Sequence, residues 1–334
     1  MLDEARLKRF SMPALLGVLS AVLYGTVALM PIFLVPLQLS GTRKGYRAMI
    51  VSAGASAIII GIWQTIALAK AGIVSASTLA IGVSAPLAMI LALIAMGSPR
   101  LKRLPFALRA LLGAAFASAI SLPSIYAAIR DPAVRAMFIA AFESAGTAFG
   151  AGSLDAETLW VALKTGIASS YGAVLFAFLF LSAWMGSRLG SFQRFVKEPS
   201  DGSSESERPR DEDVMSLPPR LSAYRLPGPL VWVLLASWAG LLVNRFFPSF
   251  VLSAVALNAA LALSICYGVQ GLAVAGALAE RAGLAPALRI LGPIALILLI
   301  VSGVAGLMAV GALALLGTLE TWIPFRAVTK GDLP

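Results

Sequence analysis

The feature that most constrains this chain is the length of its stretches without charge. No Asp, Glu, Lys or Arg occurs from Ser11 to Thr42, Ala48 to Ala69, Ala110 to Ile129, Phe246 to Ala279 or Ile290 to Leu319. About 20 apolar residues in a helix match the roughly 30 Å of a bilayer's hydrocarbon, whereas a soluble helix of that length carries a polar face. With 59% hydrophobic residues, 13% charged and a mean hydropathy of +0.89 over 334 residues, the whole chain has this character. The expected fold is all-α, a polytopic transmembrane helix bundle of roughly 8 to 10 spans.

The first uncharged run is long for one helix and contains Pro31 and Pro36. Proline removes a backbone donor, so the run reads as a span at 13–30 and a short return segment at 32–40. Further spans read at 48–69, 73–97, 110–129 and 158–186, with charges mixed among small residues between Arg130 and Glu157, as in an interfacial helix. Residues 187–228 differ in kind. They hold seven basic and seven acidic residues with Ser203, Ser204, Ser206, Pro218 and Pro219, a composition that predicts a flexible charged cytoplasmic linker. The chain thus divides into an amino-terminal membrane bundle (1–186), the linker, and carboxy-terminal membrane helices (229–334) at 229–247, 250–279 and 290–319, the last serving as one span or two.

Basic residues fall unevenly about these spans. If the amino terminus is cytoplasmic and 32–40 crosses back, 19 Lys and Arg lie on the cytoplasmic side against five (Lys70, Arg130, Arg135, Lys164 and Arg245) on the other. Positive loops stay inside, so a bacterial inner-membrane protein with a cytoplasmic amino terminus is expected. The net charge of +10 therefore reflects topology and contact with the lipid bilayer, not nucleic acid.

Chemistry is narrowed by what is missing. The chain has no histidine and one cysteine, Cys266, within an apolar run. This removes the commonest neutral-pH base, the His-based nucleophile systems, most zinc sites and any internal disulfide. No phosphate-binding glycine loop of a nucleotide motor occurs. No catalytic residue, cofactor or metal ligand is expected, and the protein reads as a non-enzyme.

Two feature sets remain. Gly17, Ala21 and Gly25 recur every four residues and line one face of the first helix, where another helix can approach closely. That helix belongs either to this chain or to a separate docking subunit. Polar residues at membrane depth form the other set: Gln64, Ser170, Tyr171, Asn258, Tyr267 and Gln270, each of which must bond a neighbouring helix or face a ligand. Lys164 lies near the outer end of its span and can snorkel.

Three stretches carry a resemblance: the first helix with Pro31 to Leu37 and Arg43 to Arg47, the run Tyr267 to Ala273, and the ending Leu316 to Arg326. Together they resemble the YybS-like family of bacterial predicted membrane proteins, whose activity is unassigned. The chain departs from that pattern in its charged linker and at Pro324. Its amino-terminal half is more distantly similar to the S components of energy-coupling-factor vitamin transporters. That likeness implies that Gly17, Ala21 and Gly25 meet a transmembrane coupling subunit. Two functions are therefore expected of such a chain: a small-molecule binding or transport component working with a separate energising partner, or a membrane scaffold or assembly factor for cell-envelope proteins.

Overall fold

The computed structural model describes residues 2–70, 76–149, 155–196, 217–284 and 304–326. The described regular structure is helical, and the chain divides at Pro218/Pro219 into two compact units. Among the described residues, five helices are long and apolar enough to cross a membrane, and the segments 11–25, 230–246 and 308–319 are shorter and also apolar. The protein is a helical membrane protein.

Unit 1 holds α1 (Leu2–Gly25), α2 (Val35–Lys44), α3 (Tyr46–Lys70), α4 (Ala76–Gly97), α5 (Phe106–Arg130), α6 (Pro132–Phe149) and α7 (Ala156–Val196). The expected break after the first helix is a 3-10 turn, Val27–Ile32, containing Pro31, and Pro36 sits in the first turn of α2. α2 alone reaches only about 15 Å. However, Gly25 lies beside Trp63, about 26 Å along α3 from Tyr46, and the 3-10 turn and α2 together cover that distance. The return limb therefore runs back beside α1, with Phe33 O opposite Ser20 and Ser40 opposite Ser52 and Pro13. Gly45 then turns the chain into α3 at φ 92°, a backbone conformation that glycine adopts without a Cβ penalty.

Serines and glycines hold this first layer together. Ser52 Oγ bonds Pro13 O at 2.7 Å and Ser40 Oγ at 2.7 Å, and Ser56 Oγ reaches Ser20 Oγ at 3.0 Å, so polar groups at membrane depth are satisfied between helices. α2 is buried on α7, where a Cβ on Gly186 would lie 2.6 Å from Gln38 Cβ and one on Gly190 would collide with Thr42. Gln38 Nε2 also donates to Ser187 Oγ at 3.0 Å.

Antiparallel pairing sorts the charges. Arg109 on α5 donates to Met96 O on α4 at 2.9 Å, while Phe106 packs on Phe180 and Trp184 of α7. One end of unit 1 thus gathers Arg43, Lys44, Arg47, Arg100, Lys102, Arg103, Arg109 and Arg188, and the other carries Lys70, Arg130 and Arg135 with Asp131, Asp155 and Glu157. At that less basic end the first half of α6 packs against the start of α7, through Phe138 on Trp160 and the Arg135–Glu157 ion pair. The stretch expected to be interfacial between Arg130 and Glu157 is therefore mostly helix, and α7 continues ten residues beyond the expected span end at 186. Lys164 is exposed on α7, outside its membrane-length segment Ser169–Gly190.

Unit 2 holds a 3-10 turn, Leu221–Ala223, then α8 (Leu230–Phe246), α9 (Phe250–Arg281) and α10 (Val304–Leu319). α8 and α9 form a hairpin whose helices touch at Gly240 and Ala256. α9 and α10 meet at a close crossing: a Cβ on Gly271 would strike the Leu313 carbonyl, and one on Gly317 the Tyr267 carbonyl. Arg281 donates to Phe325 O at 2.8 Å, so the carboxy-terminal ends of α9 and α10 lie together. Residues 290–303 of the expected last span, and the 197–216 core of the linker, lie outside the described residues.

Candidate binding sites

In unit 1 the polar residues converge near the less basic end. The Tyr24 hydroxyl donates to Gly82 O at 3.2 Å, its ring standing edge-on to Phe33 with centroids 5.3 Å apart. Gln64 lies beside the same tyrosine, and a Cβ on Gly82 would come within 3.1 Å of Gln64 Oε1. Gly82 is thus where α4 comes close enough to bring its backbone to both side chains. Around Gln64 lies a cavity of about 200 Å³, lined by Leu68 of α3, Thr78 and Gly82 of α4, and Ala133, Val134 and Met137 of α6. None of these side chains is charged.

α6 forms one wall of that cavity and is anchored at its start. Asp131 caps it by accepting from Ala133 N at 2.9 Å. At the neighbouring start of α7, the Thr158 hydroxyl and the Glu157 and Thr158 amides hold the Asp155 carboxyl below the usual carboxylate range.

The other sequence candidates in this unit separate. Tyr171 donates to Ser121 Oγ at 2.8 Å, and Ser121 passes the bond to Ala117 O at 2.6 Å, a closed link between α5 and α7. Ser170 bonds back to Gly166 O of its own helix. Gly17 packs on α3, where a Cβ would strike Ser52 O and come 2.8 Å from Ala55 Cβ; Ala21 is buried, and Gly25 is exposed. At Gly17 the close approach is made within the chain.

Unit 2 has a different polar centre. Gln270 is buried, accepting from Leu226 N at 2.8 Å and donating to Gly317 O at 3.0 Å, so one amide joins three segments. Arg326 pairs with Glu320 side-on, through Nε and Nη2, and donates to Ser222 O from Nη1 and to Tyr224 O from Nη2, each at 2.9 Å, with both charged side chains about 5% exposed. These bonds clamp residues 222–226 over α9 and the end of α10. Burial pushes the Tyr224 phenol well above its ordinary value, so it stays neutral. Tyr267 is buried beside Cys266, and Asn258 bonds back to Ala254 O at 2.8 Å. A cavity of about 200 Å³ adjoins the clamp, lined by Arg225, Gln270, Glu320 and Thr321 among others.

Sequence reasoning singled out Gln64 and Gln270 but missed Tyr24, Thr78 and the Glu320–Arg326 pair. The pair's six-residue separation follows no helical period. Tyr24 lies well inside the first uncharged run and Thr78 within the span that follows Lys70, and only the meeting of α1, α3 and α4 brings them to Gln64.

No curated protein and no solved structure matches the chain. Residues 207–317, about a third of the chain, match a family described as predicted membrane protein (DUF2232), a stretch that contains α8, α9, both arms of the Gly271–Gly317 crossing and Gln270.

Proposed function

We propose that this is a non-enzymatic, multi-pass protein of the bacterial inner membrane that binds a small molecule in the Gln64 cavity and works with a separate energising partner. The observation that carries the reading is the cavity itself: a partly open, uncharged space with Gln64, Thr78 and Gly82 on one side and the α6 wall on the other. Sites for small molecules are commonly apolar clefts with a few placed polar groups, and this lining has that make-up. It offers no acid, base or activated nucleophile, which favours binding over catalysis.

The concentration of arginine and lysine at the opposite end of unit 1 supports a cytoplasmic amino terminus, which puts the cavity in the outer half of the membrane. A coupling subunit that meets the first helix would touch Leu15, Val18, Leu19 and Val22, which are exposed, and not Gly17. The test is purification in mild detergent with mass spectrometry of retained small molecules and proteins. A retained metabolite together with a coupling subunit and an ATPase is the expected result. Envelope-assembly proteins with no metabolite would overturn it in favour of a scaffold.

A further inference from the structure

We infer that the cavity of unit 2 binds a net-anionic phosphate group, held by Arg225 at the membrane–water boundary. The inference does not depend on the Gln64 cavity, which belongs to the other unit. Its place follows from where the apolar helices stop. The lining residues Arg225, Leu226 and Gly228 come just before α8 begins at Leu230, and Glu320, Thr321 and Pro324 come just after α10 ends at Leu319. Trp322 and Ile323 lie between Thr321 and Pro324 and are about half exposed, as side chains at headgroup depth are. With the linker inside, as the charge count favours, this is the cytoplasmic boundary.

Charge decides what fits. Two of the lining side chains are ionised, Arg225 and Glu320. Glu320 is taken up by Arg326, the two side chains being buried together, so an incoming group meets a carboxylate already neutralised. Arg225 is exposed on the wall and has no hydrogen-bond or ion-pair partner among the described residues. The other polar side chains are spent: the Gln270 amide on Leu226 N and Gly317 O, and the Thr321 hydroxyl beside the Tyr267 phenol. The cavity therefore offers one uncompensated guanidinium, whose planar fork of donors matches a pair of phosphate oxygens. At about 200 Å³ it is many times the ~15 Å³ that holds one water, so it has room for more than solvent. Phosphate is the oxyanion that a bilayer presents at this depth. A zwitterionic headgroup would bring its own cation beside Arg225 with no unpaired carboxylate to receive it. An anionic headgroup such as phosphatidylglycerol, or a soluble phosphoester, brings none.

The test places the full chain in nanodiscs of phosphatidylcholine with phosphatidylglycerol as the minor lipid, and native mass spectrometry counts the lipid that stays bound on release. In a parallel arm the full chain in a non-ionic detergent receives inorganic phosphate or glycerol phosphate, read as hydrogen-exchange protection of 222–226. Phosphatidylglycerol should be retained over phosphatidylcholine. Arg225→Gln should lower that retention about tenfold with the melting temperature unchanged, because Arg225 is exposed and unpaired, and Arg225→Lys should fall between. Arg220→Gln removes the same charge from an exposed position of the same segment outside the cavity, and should stay within about twofold of wild type. Protection by inorganic phosphate that is lost in Arg225→Gln names a soluble phosphoester as the source, and selective retention of phosphatidylglycerol alone names a lipid headgroup; both support the site. Equal retention of the two lipids without protection by phosphate, or equal losses in Arg220→Gln and Arg225→Gln, marks general attraction to a basic face and overturns the inference.

Discussion

Replacing Arg326 by alanine should free residues 222–226 from unit 2. The guanidinium makes two bonds to backbone carbonyls, Ser222 O and Tyr224 O at 2.9 Å, and a bidentate, side-on pair with Glu320. Bonds from a charged donor contribute about 1.5 kcal/mol each at the lower end of their range, so losing the two carbonyl contacts alone weakens the clamp by about 3 kcal/mol. That is roughly a 150-fold rise in local opening. Glu320, about 5% exposed, would in addition be left as an unpaired buried charge, a loss of about 3–5 kcal/mol for unit 2 as a whole. The assay is trypsin cleavage of the Arg225–Leu226 bond in detergent, followed by mass spectrometry, because cleavage of a rapidly opening segment tracks its open population. Arg326→Lys should fall between wild type and alanine, since one ammonium cannot reproduce the planar fork. Glu320→Leu combined with Arg326→Leu should recover much of the global stability but none of the carbonyl contacts. Cleavage within twofold of wild type in Arg326→Ala, with helicity unchanged, would refute the reasoning.

Gly271→Ala and Gly317→Ala should each lower the melting temperature of unit 2 sharply, because the added methyl meets backbone that cannot step aside, whereas Gly268→Ala, with open space around it, should be neutral or stabilising by up to about 1 kcal/mol. Gly17→Ala should destabilise unit 1 by forcing α1 away from Ser52, so lost partner binding in a Gly17 variant reports on folding unless melting is measured alongside. The lowered Asp155 carboxyl gives a pH signature: its capping contribution is fully present above the ordinary carboxylate value of 3.8 and is lost as pH falls through its own lower value. Protection in the first turn of α7, with exchange corrected for its intrinsic pH dependence, should therefore fall on acidification through that window, and Asp155→Ala should show low protection there at neutral pH.

The membrane helices were legible because charges mark their ends. Arg47 and Lys70 bracket α3, and Arg109 and Arg130 bracket the apolar part of α5, so counting placed both within a few residues. Pro31 and Pro36 likewise announced the return limb. What length and charge could not convey is which helix meets which. Tyr24, Gln64 and Gly82 are far apart in sequence and come together only when α1, α3 and α4 pack. Gln270 was visible as a polar residue at membrane depth, but its partners Leu226 N and Gly317 O are backbone groups, which no side-chain pattern reveals. The stripe at Gly17 had two readings from spacing alone, and the backbone of Ser52 now occupies that face at Gly17.

The most direct test of the account is the amount of small molecule that co-purifies with wild type, with Gln64→Leu, and with Gln270→Leu as a control in the other unit. The account predicts near-stoichiometric retention by wild type, about a tenfold loss in Gln64→Leu, the scale of one hydrogen bond near 1.4 kcal/mol, and no loss in Gln270→Leu when the protein remains folded. Equal retention in Gln64→Leu and wild type, or a wild-type protein that retains nothing, would contradict it.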